Sequence, residues 1–219
     1  MKVEIFSDVV CPWCYIGHTR FARAAERYRE QGGEVEVELR PFQLAPDAES
    51  LGEPLTAWME RKFGGPEQTR QMTGRVTGAA AESGLDLHMD RAVQANSFDA
   101  HRLILAATRQ GRGEEMARRL FRAYFTDGLN IGDRETLAGL AGEVGVQASL
   151  DGEDGAEETH AQIDRARELG ISGVPLFLFE GKYAVSGAQP EDTLLAALAE
   201  VASLTGRATP PGQGDACPV

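Results

Sequence analysis

The chain has 219 residues, of which 42% are apolar and 26% charged, a makeup that fits a globular protein with a sizeable core. Its net charge of -12 argues against nucleic-acid and anionic-membrane ligands, which require clustered Lys and Arg. Three cysteines make no disulfide scaffold, and no apolar run has the length of a signal peptide or membrane span, so we expect a cytoplasmic protein whose cysteines do chemistry.

Val3 to Val10 reads as a first strand. Tyr15 to Arg29 reads as an amphipathic helix with Ile16, Phe21, Ala24, Ala25 and Tyr28 inward, ended by Gly32-Gly33. Val35, Val37 and Leu39 then alternate with Glu34, Glu36 and Glu38, the period of a half-buried strand. This βαβ unit carries Cys11-Pro12-Trp13-Cys14 at its first strand-to-helix turn.

Two thiols three residues apart at a helix start share a face, with Cβ atoms about 5–6 Å apart, so a disulfide forms and breaks there with little backbone motion. The unpaired N–H groups and positive dipole end of the first turn favour a thiolate, and Cys11, at the outer end, is the expected attacking thiol. A zinc site would need a second ligand pair, which Cys217 and the scattered His18, His88, His101 and His160 do not supply; no metal is expected. Inert structural thiols are the other alternative, and Pro12-Trp13 between the cysteines favours a rigid helix start over it.

Pro41 to Pro54 is a connection, after which the pattern is helical. Candidates are Leu55 to Phe63, Gln68 to Glu82, Ser97 to Gln110, Glu114 to Phe125 and Asp133 to Val144, the last with Asp133 as N-cap and Gly145 closing its end. Asp151 to Glu158, with five acidic residues, reads as a solvated loop leading into a helix that runs to Leu169. Leu176 to Phe179, a Glu180-Gly181 turn and Lys182 to Val185 form a hairpin, and Pro190 opens a final helix with Leu194, Leu195, Leu198 and Val201 inward. The Pro- and Gly-rich tail holding Cys217 has no periodicity and is expected to be mobile.

Pro175 opens the third strand, where it supplies no ladder donor. A cis Val174-Pro175 bond would turn the Val174 N–H and C=O outward beside the dithiol, ready to pair with an extended substrate; a trans proline opening an edge strand is the alternative. The element order is that of an α/β, thioredoxin-like fold with an inserted all-helical domain. Residues 1–48 and 151–205 form its two halves, 49–150 the insertion and 206–219 a flexible tail.

These motifs together resemble the DsbA family of thiol-disulfide oxidoreductases, and within it the FrnE-type dithiol-disulfide isomerases. The likeness covers most of the chain: DVVCPWCYIG from Asp8, RPFQL from Arg40, NSFDAHRLI from Asn96, YFTDGLNIGDRETL from Tyr124, and ELGISGVPLFLF ahead of YAVSGAQ. The resemblance implies a nucleophile at Cys11, a resolving thiol at Cys14 and a cis proline at Pro175. It also implies that the substrate is a disulfide-containing protein or small molecule. Relatives include 2-hydroxychromene-2-carboxylate isomerases and kappa-class glutathione transferases, which typically have a serine in place of the first thiol. This chain keeps both cysteines, which favours redox exchange. No cofactor is implied, and glutathione is compatible as reductant or co-substrate.

Around this centre, Trp13 is expected at the rim of the substrate site and Val174 at its backbone edge. Asn96 and His101, at the start of an inserted helix, are candidates for substrate contact, with capping by Ser97 and a satisfied histidine as the alternative. Asp8 is placed to orient or deprotonate a thiol, with capping the helix or meeting water as the alternative, and His18, one turn after Cys14, to face it, with an exposed helix histidine of no function as the alternative.

Overall fold

The computed structural model describes residues 1–50 and 52–207, so Cys217 and the tail from 208 on lie outside the described residues. A four-stranded mixed sheet has the order β2-β1-β3-β4. The centre is β1 (Lys2–Ser7), flanked by parallel β2 (Glu36–Pro41), with Val3 opposite Val37, and by antiparallel β3 (Leu176–Phe179), with Val3 opposite Phe179. β4 (Tyr183–Ser186) closes the far edge, joined to β3 through Glu180 and Gly181, whose positive φ values of 52° and 65° suit the right-handed twist of a tight hairpin.

One sheet face is covered by α1 (Pro12–Glu30) and α8 (Glu191–Leu204), which bury Phe21, Tyr28, Leu194 and Leu198 against Ile5, Phe177 and Phe179. On the other face lies α7 (Ala156–Glu168), whose Arg165 reaches Glu4 of β1 at 2.6 Å, while Arg40 of β2 holds the same carboxylate at 2.7 Å. Burial alone would raise the Glu4 pKa, but the Arg165 and Arg40 guanidiniums overcome it and hold the carboxyl below its usual range.

Among the described residues, five helices fill the middle of the chain: α2 (Leu55–Phe63), α3 (Pro66–Glu82), α4 (Phe98–Arg109), α5 (Gly113–Phe125) and α6 (Arg134–Val144). Their shared core, around Leu103, Met116, Phe121, Phe125 and Leu140, also takes in Cys11, Cys14, Tyr15 and Ile16 from the start of α1. The Tyr15 ring stacks on Phe121 with centroids 5.2 Å apart. α1 therefore has two buried sides, and the dithiol is on the one facing the inserted helices.

The structure departs from the sequence reading at several ends. α1 begins at Pro12 and α3 at Pro66, ahead of the expected Tyr15 and Gln68, because proline fits the first helical position. Pro190 is the N-cap of α8 and lies outside its first turn. The acidic run keeps its side chains in solvent, but the buried Arg102 guanidinium collects the carbonyls of Leu150, Gly152 and Asp154 and ties that loop down. Asp133 caps α6 as expected, accepting from Thr136 N at 2.8 Å. No described helix is long and apolar enough to cross a membrane.

Candidate active site

The turn from β1 into α1 fixes the dithiol. Cys11 is the N-cap in extended geometry; its N–H donates to Asp8 O (3.0 Å) and its carbonyl accepts from Cys14 N (3.0 Å), with Pro12 at the first helical position. Both cysteines are free thiols. Cys14 has no exposed surface, and burial, then the neighbouring Cys11, pushes its thiol well up, against the Ser7 hydroxyl and the Asp8 backbone amide beside it. Cys11 is 5% exposed and lines a cleft of about 610 Å³.

The second chain segment at the site is Gly173–Pro175. The Val174-Pro175 peptide is cis, and the Cys11 thiol points at the Val174 carbonyl, 3.8 Å away. The close approach of α1 to this segment depends on Gly17, where a Cβ would lie 2.9 Å from Pro175 Cγ. Gly173 and Val174 line the cleft together with Trp13, Leu44, Trp58, Met59, Phe63, Met72 and Met89. The Gln94 carboxamide, in the orientation that pairs both ends, accepts from Trp58 Nε1 and donates to Glu49 O, each at 3.2 Å.

Asp8 is fully buried behind the dithiol and meets no water. Its carboxylate accepts from Leu44 N (2.8 Å) and Val10 N (3.4 Å), and His101 Nε2 lies 3.4 Å away. Asp8 thus brackets the active-site turn to the connection after β2. Burial, and then this carboxylate, pushes the Tyr124 phenol up at the cleft wall.

Of the expected site residues, Cys11, Trp13 and Val174 line the cleft, with Cys14 and Pro175 directly behind. Asn96 and His101 do not reach it. Asn96 is engaged on every side: its Oδ1 accepts from Phe98 N (2.9 Å) and Gln43 Nε2 (3.0 Å), and its Nδ2 donates to the Pro46 and Ala48 carbonyls. It, and not the Ser97 side chain, supplies the acceptor at the start of α4. His101 is buried, its Nε2 3.0 Å from Phe42 O. His18 packs on Phe121 (5.2 Å) and borders a second cavity of about 380 Å³ that shares no lining residue with the cleft. Its Nε2 is shielded and makes no hydrogen bond within the protein, nor does Thr159 Oγ1 on the same cavity. Sequence reasoning missed Trp58, Lys62, Phe63, Met72 and Arg75; spacing marks them only as members of α2 and α3.

Two free thiols at a strand-to-helix turn, beside a cis proline and under a cleft roofed by inserted helices, form the type of site found in thioredoxin-fold proteins. Residues 2–199 match the DSBA-like thioredoxin domain, and the chain belongs to that family. A probable DsbA oxidoreductase of Streptomyces coelicolor is 34% identical, with a TM-score of 0.85 over 99% of this chain and 94% of that one. More distant in sequence, the fold is shared with a 2-hydroxychromene-2-carboxylate isomerase (16% identical, TM-score 0.69, 94% and 98% covered). It is also shared with the cytosolic disulfide reductase DsbM of Pseudomonas aeruginosa with GSH (22%, TM-score 0.63, 92% and 99% covered).

Proposed function

We propose that the protein is a cytosolic dithiol-disulfide oxidoreductase that works through a mixed disulfide. Cys11 as thiolate attacks one sulfur of a substrate disulfide, the substrate S–S bond breaks, and the first half leaves as a thiolate. Cys14 then gives its proton to the departing thiolate and, as thiolate, attacks Cys11 Sγ and releases the second half, so the enzyme ends as the Cys11–Cys14 disulfide and the substrate as two thiols. Run backwards, the same steps oxidise a dithiol. Two equivalents of glutathione, or of another small thiol, return the enzyme disulfide to its reduced form and leave as their own disulfide.

The observation that carries this reading is the asymmetry of the two sulfurs: Cys11 opens on the cleft at the positive end of the α1 dipole, and Cys14 is wholly buried with its thiol pushed up. A thiol held protonated behind the nucleophile resolves without competing for substrate. The expected result is that Cys11→Ser abolishes exchange with insulin or scrambled ribonuclease, while Cys14→Ser accumulates substrate bound to Cys11, identified by mass spectrometry. Adducts on Cys14 in Cys11→Ser would reverse the roles. Turnover of an aromatic substrate with both thiols blocked, and no disulfide exchange, would instead make the protein a glutathione-dependent isomerase or transferase.

A further inference from the structure

The cleft over Cys11 has a charge unlike that of the chain around it. Asp and Glu number 34 against 22 Lys and Arg, yet none of the described residues lining the cleft is acidic and two, Lys62 and Arg75, are cationic. Among the described residues neither forms a salt bridge, whereas Arg61 and Arg70 on the same two helices pair with Glu53 and Glu67. The Lys62 ammonium stands 4.4 Å above the Trp58 ring, at the end of an aromatic wall.

The apolar surface is equally concentrated. Of the seven large hydrophobic side chains left exposed among the described residues, four (Trp13, Leu44, Phe63 and Met72) line this cleft. Exposed apolar surface gathered in one place marks a binding site, and about 610 Å³ is the size of a small-molecule pocket. A folded protein would offer this space one side chain; a compact amphiphile would fill it.

We propose that the cleft selects small aromatic or branched-apolar disulfides that carry a carboxylate, the apolar body lying against Trp58 and Phe63 and the anion at Lys62 and Arg75. This rests on the dithiol-exchange reading and names its substrate class. The electron balance is that above: two electrons pass from the Cys11–Cys14 dithiol to the small disulfide, which leaves as two thiols, and two equivalents of a low-molecular-weight thiol reduce the enzyme again and leave as their disulfide.

The test uses the full chain, reduced, in stopped-flow reaction with two aromatic disulfides, dianionic 5,5′-dithiobis(2-nitrobenzoate) and neutral 4,4′-dithiodipyridine. Each rate is divided by that of a free cysteine peptide to remove intrinsic reactivity. The expected wild-type ratio favours the anion by about tenfold, the product of roughly threefold from each solvent-facing charge. Lys62→Gln with Arg75→Gln should bring the anion-to-neutral ratio down to about one, and 0.5 M salt should act like the double variant. Both side chains are exposed, so the variant is expected to fold, which circular dichroism checks. Equal normalised rates in the wild type, or a ratio unmoved by the double variant, overturn the substrate class alone. A neutral peptide disulfide reacting more than tenfold faster than the anion overturns it in favour of a protein substrate. Failure of every disulfide to oxidise the dithiol overturns the dithiol-exchange reading itself.

Discussion

Lowering the pH from 7.5 to 4.5 should destabilise the protein through His18. Burial lowers its pKa from 6.5 to about 4, so the folded state holds the imidazole neutral while the unfolded chain protonates it readily. The contribution to stability is intact above pH 6.5 and is lost as pH falls through about 4. At about 1.4 kcal/mol per tenfold change in proton affinity, the whole gap is worth about 3.4 kcal/mol, of which about 2.5 falls between pH 7.5 and 4.5. Part of the residue reaches solvent, which makes this an upper figure. Urea unfolding at both pH values, for wild type against His18→Phe and His18→Gln, isolates it, since groups such as Glu4 contribute equally to all three. The wild type should lose up to about 2.5 kcal/mol more than either variant. Parallel losses in all three, or an NMR titration placing His18 above pH 6, would refute the reasoning.

Gly17→Ala should cost about 1–3 kcal/mol, because the new methyl meets Pro175 at 2.9 Å and must push α1 from the strand opening; the measurement is the urea midpoint, with exchange rate alongside. Asn96→Ala, which strips four hydrogen bonds at the start of α4, should cost about 2–3 kcal/mol, yet leave KM for disulfides unchanged per folded molecule; a selective rise in KM would return Asn96 to the substrate site.

The local signals proved readable where one residue's chemistry decides the backbone. The dithiol at a helix start, Asp133 as a cap and the Glu180-Gly181 turn depend on neighbours in sequence, and the structure has each of them. Asn96 and His101 show where this stops. Both sit near the site in space and carry the right chemistry, but whether a polar side chain faces substrate or backbone depends on partners dozens of residues away, here Gln43, Pro46, Ala48 and Phe42. The cleft walls were hidden for the same reason. Met72 and Arg75 lie on one exposed helix side, and only the packing of α2 and α3 over α1 turns that side into a lining.

The pairing of β1 with β3 joins Val3 to Phe179, residues made far apart in time. At 5–20 residues per second a ribosome needs about 9 to 35 s to travel from one to the other. Throughout that interval the nascent chain carries Cys11 and Cys14 without the Gly173–Val174 edge that completes their cleft. The inserted helices, built from contacts closer in sequence, are free to fold first and cover the thiols from one side. A chain released early, short of β3, would present the two cysteines without the Gly173–Val174 edge beside them. The cleft beside the two thiols is therefore complete only in the last part of synthesis, and the long gap between the two halves of the sheet sets how late that comes.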